Sequence, residues 1–264
     1  MSLVFAAITP HSPSTLPSTE PAPKELQTVR DALKELEGEL YVMQPDTIFV
    51  VSPNAAMEPE AFSVNLSPDF FCNFQTYGDH IAPLKLHGDI ELVSKMREYA
   101  DAHGVMVHTV TQAELDHGTA IALYHLTQHL PAVKVVPISL ASTSIENHYK
   151  FGQALRSVAL QTNKRVAVIG AAELGHALAA DGALGYHPAA EAFDRKVLEA
   201  IKANDLTELQ HLNTELAEGA QSVNEFKTLV VLSGALSEAK VQARVVAYEP
   251  VNGSGLLVAQ FSLI

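Results

Sequence analysis

The chain has 264 residues, 47% of them hydrophobic, and a formal net charge of −13 from 17 basic and 30 acidic side chains. This balance indicates a soluble globular protein whose average field repels nucleic acid and anionic membranes, so we expect neither as a partner. No run approaches the ~18 apolar residues of a spanning helix and the N-terminus lacks a signal-peptide pattern, so we expect a cytoplasmic protein.

One domain is expected over residues 1–264, because no linker-like stretch divides the chain and α/β folds of this length often form a single unit. Cys72 is the only cysteine, which excludes an intrachain disulfide and a metal cluster held by thiolates. Any bound metal must therefore be held by histidine and carboxylate side chains.

Strand-like runs recur along the chain, and most are continuous apolar stretches, as in strands buried on both faces. They lie at Leu3–Ile8, Thr47–Ser52, Gly104–Val110, Lys134–Leu140, Arg165–Ala171, Thr228–Ser233, Val241–Tyr248 and Gly255–Leu263. The last two are separated by a segment with proline and glycine, which predicts a hairpin and makes the sheet mixed.

Helical periodicity separates the strands, for example from Leu26 to Leu36 and from Asp89 to His103. The predicted boundary residues are the N-caps Asp89 and Ser144 and the stops Gly38 and Gly104. Such helices should cover both faces of the sheet. The pattern predicts an α/β fold with three layers, α/β/α, around a central, mostly parallel but mixed sheet.

Two segments depart from this alternation. The stretch from Ser12 to Pro23 is rich in proline, serine and threonine, and it is either a lid over the carboxyl edge of the sheet or a plain surface connection. Residues 188–219 read as two successive amphipathic helices with Asn204 and Asp205 between them. We interpret this second segment as a helical insertion.

His11 follows the first predicted strand directly, within the sequence Thr9-Pro10-His11-Ser12-Pro13. In open α/β sheets ligands bind just outside the carboxyl ends of the strands, which is where His11 is expected. The flanking prolines hold the loop extended and aim the imidazole. The alternative is a histidine that is hydrogen-bonded within its own loop.

Later segments repeat this placement of an ionisable side chain at an element junction. His117 opens an apolar helix directly after Asp116, Glu173 and His176 follow a strand, and Glu225 precedes the apolar run at 228–233. A helix cap or a solvated charge would explain each of them alone. Together they favour a site at one edge of the sheet.

The motifs occur in the order TPHSP, VSPxx, NFxxYG, LDHGT, (E/D)xxH, an acid before LxGAL, and YEPxxGxG, spread from Leu3 to the C-terminus. This order resembles the class III extradiol ring-cleavage dioxygenases, specifically the catalytic (LigB-type) subunit in a superfamily that also includes Memo-like proteins. The resemblance implies a LigB-like fold. It also implies aromatic compound catabolism by oxidative ring cleavage with Fe(II) and O₂.

By this resemblance His11 and Glu225 are metal ligands, whereas Asn54 stands where relatives usually carry a second histidine. An amide oxygen suits calcium or magnesium and binds Fe(II) or Zn(II) weakly. The cofactor expectation is therefore Fe(II), with zinc or no metal as alternatives, and Asn54 is either a weak third contact or a turn former. His80 or His87 replaces it only if the following loop folds back.

Also by resemblance, His176 is the acid–base group, His117 hydrogen-bonds substrate or oxygen, and Glu173 orients His176. Asp116 is expected to cap the following helix. The alternative for His176 is a buried structural histidine.

The first functional hypothesis is an extradiol-dioxygenase-like protein with activity reduced by Asn54, acting on a catecholic or aminophenol-type aromatic. The rival hypothesis is a non-enzymatic, Memo-like scaffold that binds a metal, a small molecule or a partner. A third hypothesis is a zinc hydrolase, which would also need a strong third metal ligand where Asn54 stands. We expect a small aromatic substrate and O₂ as partners and a homo-oligomer in solution, with a small partner subunit left open.

Overall fold

A computed structural model describes residues 3–17, 21–78 and 84–264. The strands are β1 (Leu3–Thr9), β2 (Thr47–Ser52), β3 (Phe62–Asn65), β4 (Asp69–Cys72), β5 (Leu84–Gly88), β6 (Val107–Val110), β7 (Lys134–Ser139), β8 (Val166–Ala171), β9 (Val241–Val251) and β10 (Ser254–Leu263). The α-helices are α1 (Lys24–Met43), α2 (Ile90–Ala102), α3 (His117–Leu126), α4 (Ile145–Leu160), α5 (Pro188–Lys202), α6 (Thr214–Gly219) and α7 (Val223–Ala235). Short 3₁₀ helices lie at Pro13–Thr15, Gln75–Tyr77 and Leu206–His211.

The strands form one mixed sheet in the order β4-β5-β7-β2-β8-β1-β10-β9, with β3 paired to β7 and β6 paired to β3. Its centre is parallel, since β8 pairs in parallel with both β1 and β2, and β2 with β7. The hairpin of β9 and β10 is antiparallel and joins the sheet through β1. The predicted mostly parallel sheet with a closing hairpin is confirmed.

Helices cover both faces of this sheet, which makes the predicted three-layer arrangement. Ile48 and Phe49 are neighbours in β2 but lie in two different hydrophobic cores, because successive side chains of a strand point to opposite faces. One core lies between the sheet and α2, α4, α5 and α7, and the other lies against α1 and α3. Within the described ranges, no helix is both long and apolar enough to cross a membrane.

The predicted strand at Thr228–Ser233 is wrong, because these residues lie inside helix α7. All six are buried, and a helix that is buried on every side shows no amphipathic period, so its sequence reads like that of a buried strand. A Cβ on Gly152 or Gly234 would overlap backbone atoms of the facing helix. Helices α4 and α7 therefore pack backbone against backbone under the sheet.

Helix boundaries agree with the sequence at some positions and differ at others. Asp89 and Ser144 are N-caps as predicted, accepting hydrogen bonds from the backbone N–H groups of residues 92 and 147 at 3.3 and 3.2 Å. Gly104 follows α2 with φ +69°. Gly38 does not stop α1, which runs on to Met43, because an isolated exposed glycine costs a helix only about 1 kcal/mol.

The sequence also missed three short strands, β3, β4 and β5, and placed the start of β6 too early at Gly104. Strands of four or five residues are too short for a hydrophobic period to stand out from the neighbouring loops. These strands lie on the β7 side of the sheet, away from β1 and β8.

The segment 188–219 is helical as predicted, with α5, a 3₁₀ helix and α6 in succession. Asn204 breaks it with φ 59°. Its side chain donates to the carbonyl oxygen of Val241 at 2.5 Å and accepts from the N–H of Ala243 at 2.7 Å, so it covers part of the edge of β9. The Arg30 guanidinium donates to the carbonyl oxygens of Ser14 and Thr15, which holds the described part of the proline-rich loop on α1.

Candidate active site

Four of the sequence-predicted site residues form one buried cluster beyond the carboxyl ends of β1 and β8. His11 Nε2 lies 3.2 Å from Glu225 Oε1, and His11 Nδ1 lies 3.7 Å from Glu173 Oε1. His176 closes the cluster, because its Nε2 is 3.6 Å from Glu225 Oε1 and its Nδ1 is 3.6 Å from Glu173 Oε2. Two imidazoles thus alternate with two carboxylates.

The parallel pairing of β1 with β8 places these loops side by side. Thr9 and Ala171 are paired at the strand ends, and the N–H of Ala172 donates to the carbonyl oxygen of Thr9 at 2.9 Å. The loops that carry His11 and Glu173 therefore leave the sheet together. Glu225 comes from the first turn of α7, where the positive end of the helix dipole favours a carboxylate.

Burial and mutual attraction compete at each charge in the cluster. Burial by itself would lower the pKa of His11, but the attraction of Glu225 and Glu173 raises it to about 9. Burial would raise the pKa of Glu225, yet His11 and His176 hold it below its usual range. Burial raises the pKa of Glu173. Without a metal, His11 and Glu225 are therefore an imidazolium–carboxylate pair at neutral pH.

The geometry of the His11–Glu225 pair fits two neighbouring ligands of one cation. Ligand atoms at right angles with bonds near 2.1 Å lie about 3 Å apart, close to the 3.2 Å between Nε2 and Oε1. Glu225 Oε2 is buried without a hydrogen-bond partner among the described residues, an arrangement that a cation would satisfy. In the same part of the chain, no set of three or more His, Cys, Asp or Glu side chains forms a ready-made metal site.

Asn54 lies against the start of α3. A Cβ on Gly118 would overlap the Asn54 Oδ1 atom. The Asn54 N–H donates to Ser52 Oγ at 3.2 Å, and that hydroxyl donates to Asp116 Oδ1 at 2.7 Å. Asn54 is thus tied to the first turn of the helix that carries His117. Its role as a third metal contact stays a prediction.

His117 begins α3 and stands beside the cluster, with its ring centroid 5.9 Å from that of His11. Burial and the charge of His11 lower the pKa of His117, so its ring is neutral at pH 7. Asp116 caps the helix as expected, accepting from the N–H of Thr119 at 3.0 Å. The Tyr77 ring centroid lies 5.8 Å from that of His117. Tyr77 belongs to the NFxxYG motif but was not predicted as a site residue.

His176 is the most open member of the cluster, with 18% of its side chain exposed against 6–8% for the other three. Its Nδ1 shares a hydrogen bond of 2.9 Å with Ser254 Oγ at the start of β10. Ser254 was also missed, although it lies within the YEPxxGxG motif. A surface cavity of about 390 Å³ is lined by residues 218 and 221–225 and reaches Glu225.

Of the two histidines considered as substitute ligands, His87 does not join the cluster. His87 is exposed and shares a hydrogen bond of 2.7 Å with Asp69. It pairs in register with Lys134, the first residue of β7, so it lies at the opposite, amino edge of the central strands. His80 lies outside the described residues.

Fold and site together define an open α/β protein with a histidine and carboxylate cluster at the carboxyl edge of its sheet. Residues 5–259 match the family described as the catalytic LigB subunit of aromatic ring-opening dioxygenase. The chain belongs to this family, as the ordered motifs predict.

The chain is also similar to one relative in sequence and to one solved structure. Protein CA_C1420 of Clostridium acetobutylicum is 24% identical over 267 residues, an alignment that covers 97% of this chain and 56% of that protein. The chain thus spans little more than half the length of this relative. The crystal structure of uncharacterized protein JW3007 from Escherichia coli K12 has a TM-score of 0.70 at 16% identity, covering 98% of this chain and 99% of the other. That likeness shows the shared fold.

Proposed function

We propose that this protein is an extradiol-type dioxygenase that opens the ring of a catecholic or aminophenol-type aromatic with Fe(II) and O₂. One observation carries the proposal. The buried His11–Glu225 pair, with Oε2 of the carboxylate unpartnered in the described part of the chain, lies in contact with a second, more open histidine, His176. Membership of a family of ring-opening dioxygenases supports the reaction class.

His11 and Glu225 are the proposed ligands, and Asn54 is the proposed weak third contact. Fe(II) bound there supplies open coordination positions for a catecholic substrate and O₂. The side chains around the His11–Glu225 pair are proposed to bind the substrate and transfer its protons.

His176 is proposed to take the proton from a substrate hydroxyl and return it later in the reaction. Its Nδ1 is held by Ser254, whereas its Nε2 lies 3.6 Å from Glu225 Oε1 on the side of the proposed metal ligand, and Nε2 is the nitrogen proposed to carry the proton. Burial would lower the pKa of His176, but Glu225 and Glu173 raise it, and they stabilise the imidazolium that forms. The neutral ring of His117 offers a hydrogen bond to a substrate oxygen.

The second candidate function is a Memo-like, non-enzymatic scaffold that binds a metal, a small molecule or a partner. The position of Asn54 favours it, because the amide packs on Gly118 and no ready-made site of three His, Cys, Asp or Glu ligands exists among the described residues. For the iron-dependent enzyme we also propose a homo-oligomer and a cytoplasmic location, where a reducing environment would keep iron ferrous. A small partner subunit stays an open alternative.

Oxygen uptake by Fe(II)-loaded protein tests the proposed function. Protein purified without oxygen is loaded with Fe(II), kept reduced and offered catechols, aminophenols and protocatechuate-like acids, with a His11→Ala protein as the matched control. We expect slow oxygen consumption and a yellow ring-opened product from the wild type alone. Neither signal with any compound, at full iron loading, rules out the dioxygenase and leaves the scaffold.

A further inference from the structure

Asp194, in helix α5 of the insertion, is a buried carboxylate next to the loop that carries His176. It is 2% exposed. Its Oδ1 accepts a hydrogen bond from the N–H of Gly175 at 2.6 Å, and its Oδ2 accepts one from the Tyr248 hydroxyl at 2.5 Å. The residue directly before His176 is therefore bound to the insertion.

Glycines at two positions let the chain approach this carboxylate. A Cβ on Gly175 would lie 3.0 Å from Asp194 Oδ1 and 2.9 Å from the Cβ of Ala190, and a Cβ on Gly255 would overlap Asp194 Oδ2. The two glycines also bind each other, since the N–H of Gly255 donates to the carbonyl oxygen of Gly175 at 2.9 Å. Three separate chain segments thus meet at one side chain.

These contacts reach both sides of His176. Gly175 sets the backbone position of the histidine, and Gly255 follows Ser254, whose hydroxyl bonds to His176 Nδ1 at 2.9 Å. A shift of the carboxylate would move the backbone that carries the ring and the hydroxyl that orients it. Its two hydrogen-bond donors are both neutral, so the buried charge lacks the ion pair that usually offsets its desolvation.

We propose that Asp194 is a positioning residue that sets the place and ring orientation of His176 for proton transfer. The proposal rests on the proposed function and extends it to a side chain that touches neither the proposed metal ligands nor the substrate. It predicts that loss of the carboxylate changes turnover more than substrate or metal binding.

Two substitutions at position 194 and one matched control test this role. Asp194→Asn keeps an acceptor for the Gly175 N–H and a polar partner for Tyr248, whereas Asp194→Ala removes both. Asp89→Asn is the control, because Asp89 is equally buried and accepts hydrogen bonds from Leu92 N–H, Thr47 Oγ1 and Lys164 Nζ, but it lies at the amino edge of the sheet. All three proteins are compared with wild type for kcat, KM and Fe(II) content.

We expect Asp194→Ala to lower kcat by about 10- to 100-fold with little change in KM or iron content, as when a reacting group is misplaced. Asp194→Asn should restore most of the rate, and Asp89→Asn should lower stability alone. Wild-type kcat in Asp194→Ala, or an equal loss in Asp89→Asn, overturns the proposal. If Asp194→Ala does not fold, Tyr248→Phe replaces it, and a wild-type rate and wild-type His176 ring signals in that protein overturn the proposal.

A second measurement needs no turnover. The ring-nitrogen signals of His176, assigned with His176→Gln, are recorded by NMR in metal-free protein. We expect them to shift in Asp194→Ala and to stay in place in Asp194→Asn and Asp89→Asn; unmoved signals in Asp194→Ala contradict positioning. If the wild-type protein is inactive but the His176 signals shift as expected in Asp194→Ala, only the proposed function is disproved.

Discussion

The His11 imidazole and the Glu225 carboxylate form a buried pair in which Nε2 and Oε1 are 3.2 Å apart, while Glu225 Oε2 has no hydrogen-bond partner in the described part of the chain. The pair joins a loop after the first strand to the first turn of a helix more than 200 residues later, with a sequence separation of 214. A buried ion pair with one oxygen unsatisfied is costly for stability alone. This cost is consistent with a cation site.

The first prediction concerns the metal-free stability of this pair. His11→Ala should lower the free energy of unfolding by about 3 kcal/mol, the low end for a broken buried pair, because Glu225 loses its nearest partner and keeps only its longer contact with His176. Urea unfolding in the presence of a chelator measures the loss. His87→Ala is the matched control, since the His87–Asp69 pair is exposed, and it should be nearly neutral. Equal stabilities for both variants would mean that the pair is not ionised.

The second prediction concerns Asn54. Asn54→His should tighten Fe(II) or Zn(II) binding by about tenfold or more if its ring turns from Gly118 towards His11, because imidazole is the stronger ligand. Isothermal titration with Zn(II) measures the affinity. Asn147→His, at the start of α4, controls for an added histidine elsewhere. Unchanged affinity in Asn54→His would show that position 54 does not face the metal.

The third prediction concerns His176. His176→Ala should lower kcat by about 10²–10⁴-fold, the usual contribution of a general acid–base group, with folding and iron content nearly unchanged. Ser254→Ala should cost less, because the ring keeps its contacts with Glu225 and Glu173. Steady-state oxygen uptake and a colorimetric iron assay measure both effects. A kcat that survives in His176→Ala assigns proton transfer to another group.

The fourth prediction concerns pH and His148, which is fully buried in α4 and donates from Nδ1 to the carbonyl oxygen of Ser144 at 2.7 Å. Burial lowers the pKa of His148 from 6.5 to about 4. Between pH 6.5 and about 4 the unfolded chain binds a proton at His148 that the folded protein does not bind. Stability from this group is therefore complete above pH 6.5 and falls as the pH drops towards 4.

Urea unfolding from pH 7 to 4.5 in wild type and His148→Gln tests this. The wild type should lose about 1.4 kcal/mol more per pH unit within the window than the variant. Asp194 acts in the opposite direction, because burial raises its pKa to about 6, but it is present in both proteins and cancels in the comparison. Parallel pH profiles for the two proteins would contradict a neutral His148.

Much of the sheet could be predicted from the sequence, because strands buried on both faces are continuous apolar runs with turn residues at their ends. The same rule placed His11, Glu173 and His176 at the carboxyl edge, since parallel strands end together there. The rule that apolar runs predict strands was wrong for Thr228–Ser233. These residues lie in α7, which is buried on all sides and therefore has no amphipathic helical pattern.

The sequence by itself therefore determined the fold class, the family and the strand-end positions of the histidines, all of which depend on local patterns. Only the tertiary structure decided how closely Glu225 approaches His11, that Asn54 packs on Gly118, and which side chains hold His176. Ser254 is 78 residues from His176 in sequence, and Asp194 is 19 residues from Gly175. Such contacts arise when the hairpin and helix α5 pack against the sheet, and no local periodicity encodes the position of one packed segment relative to another.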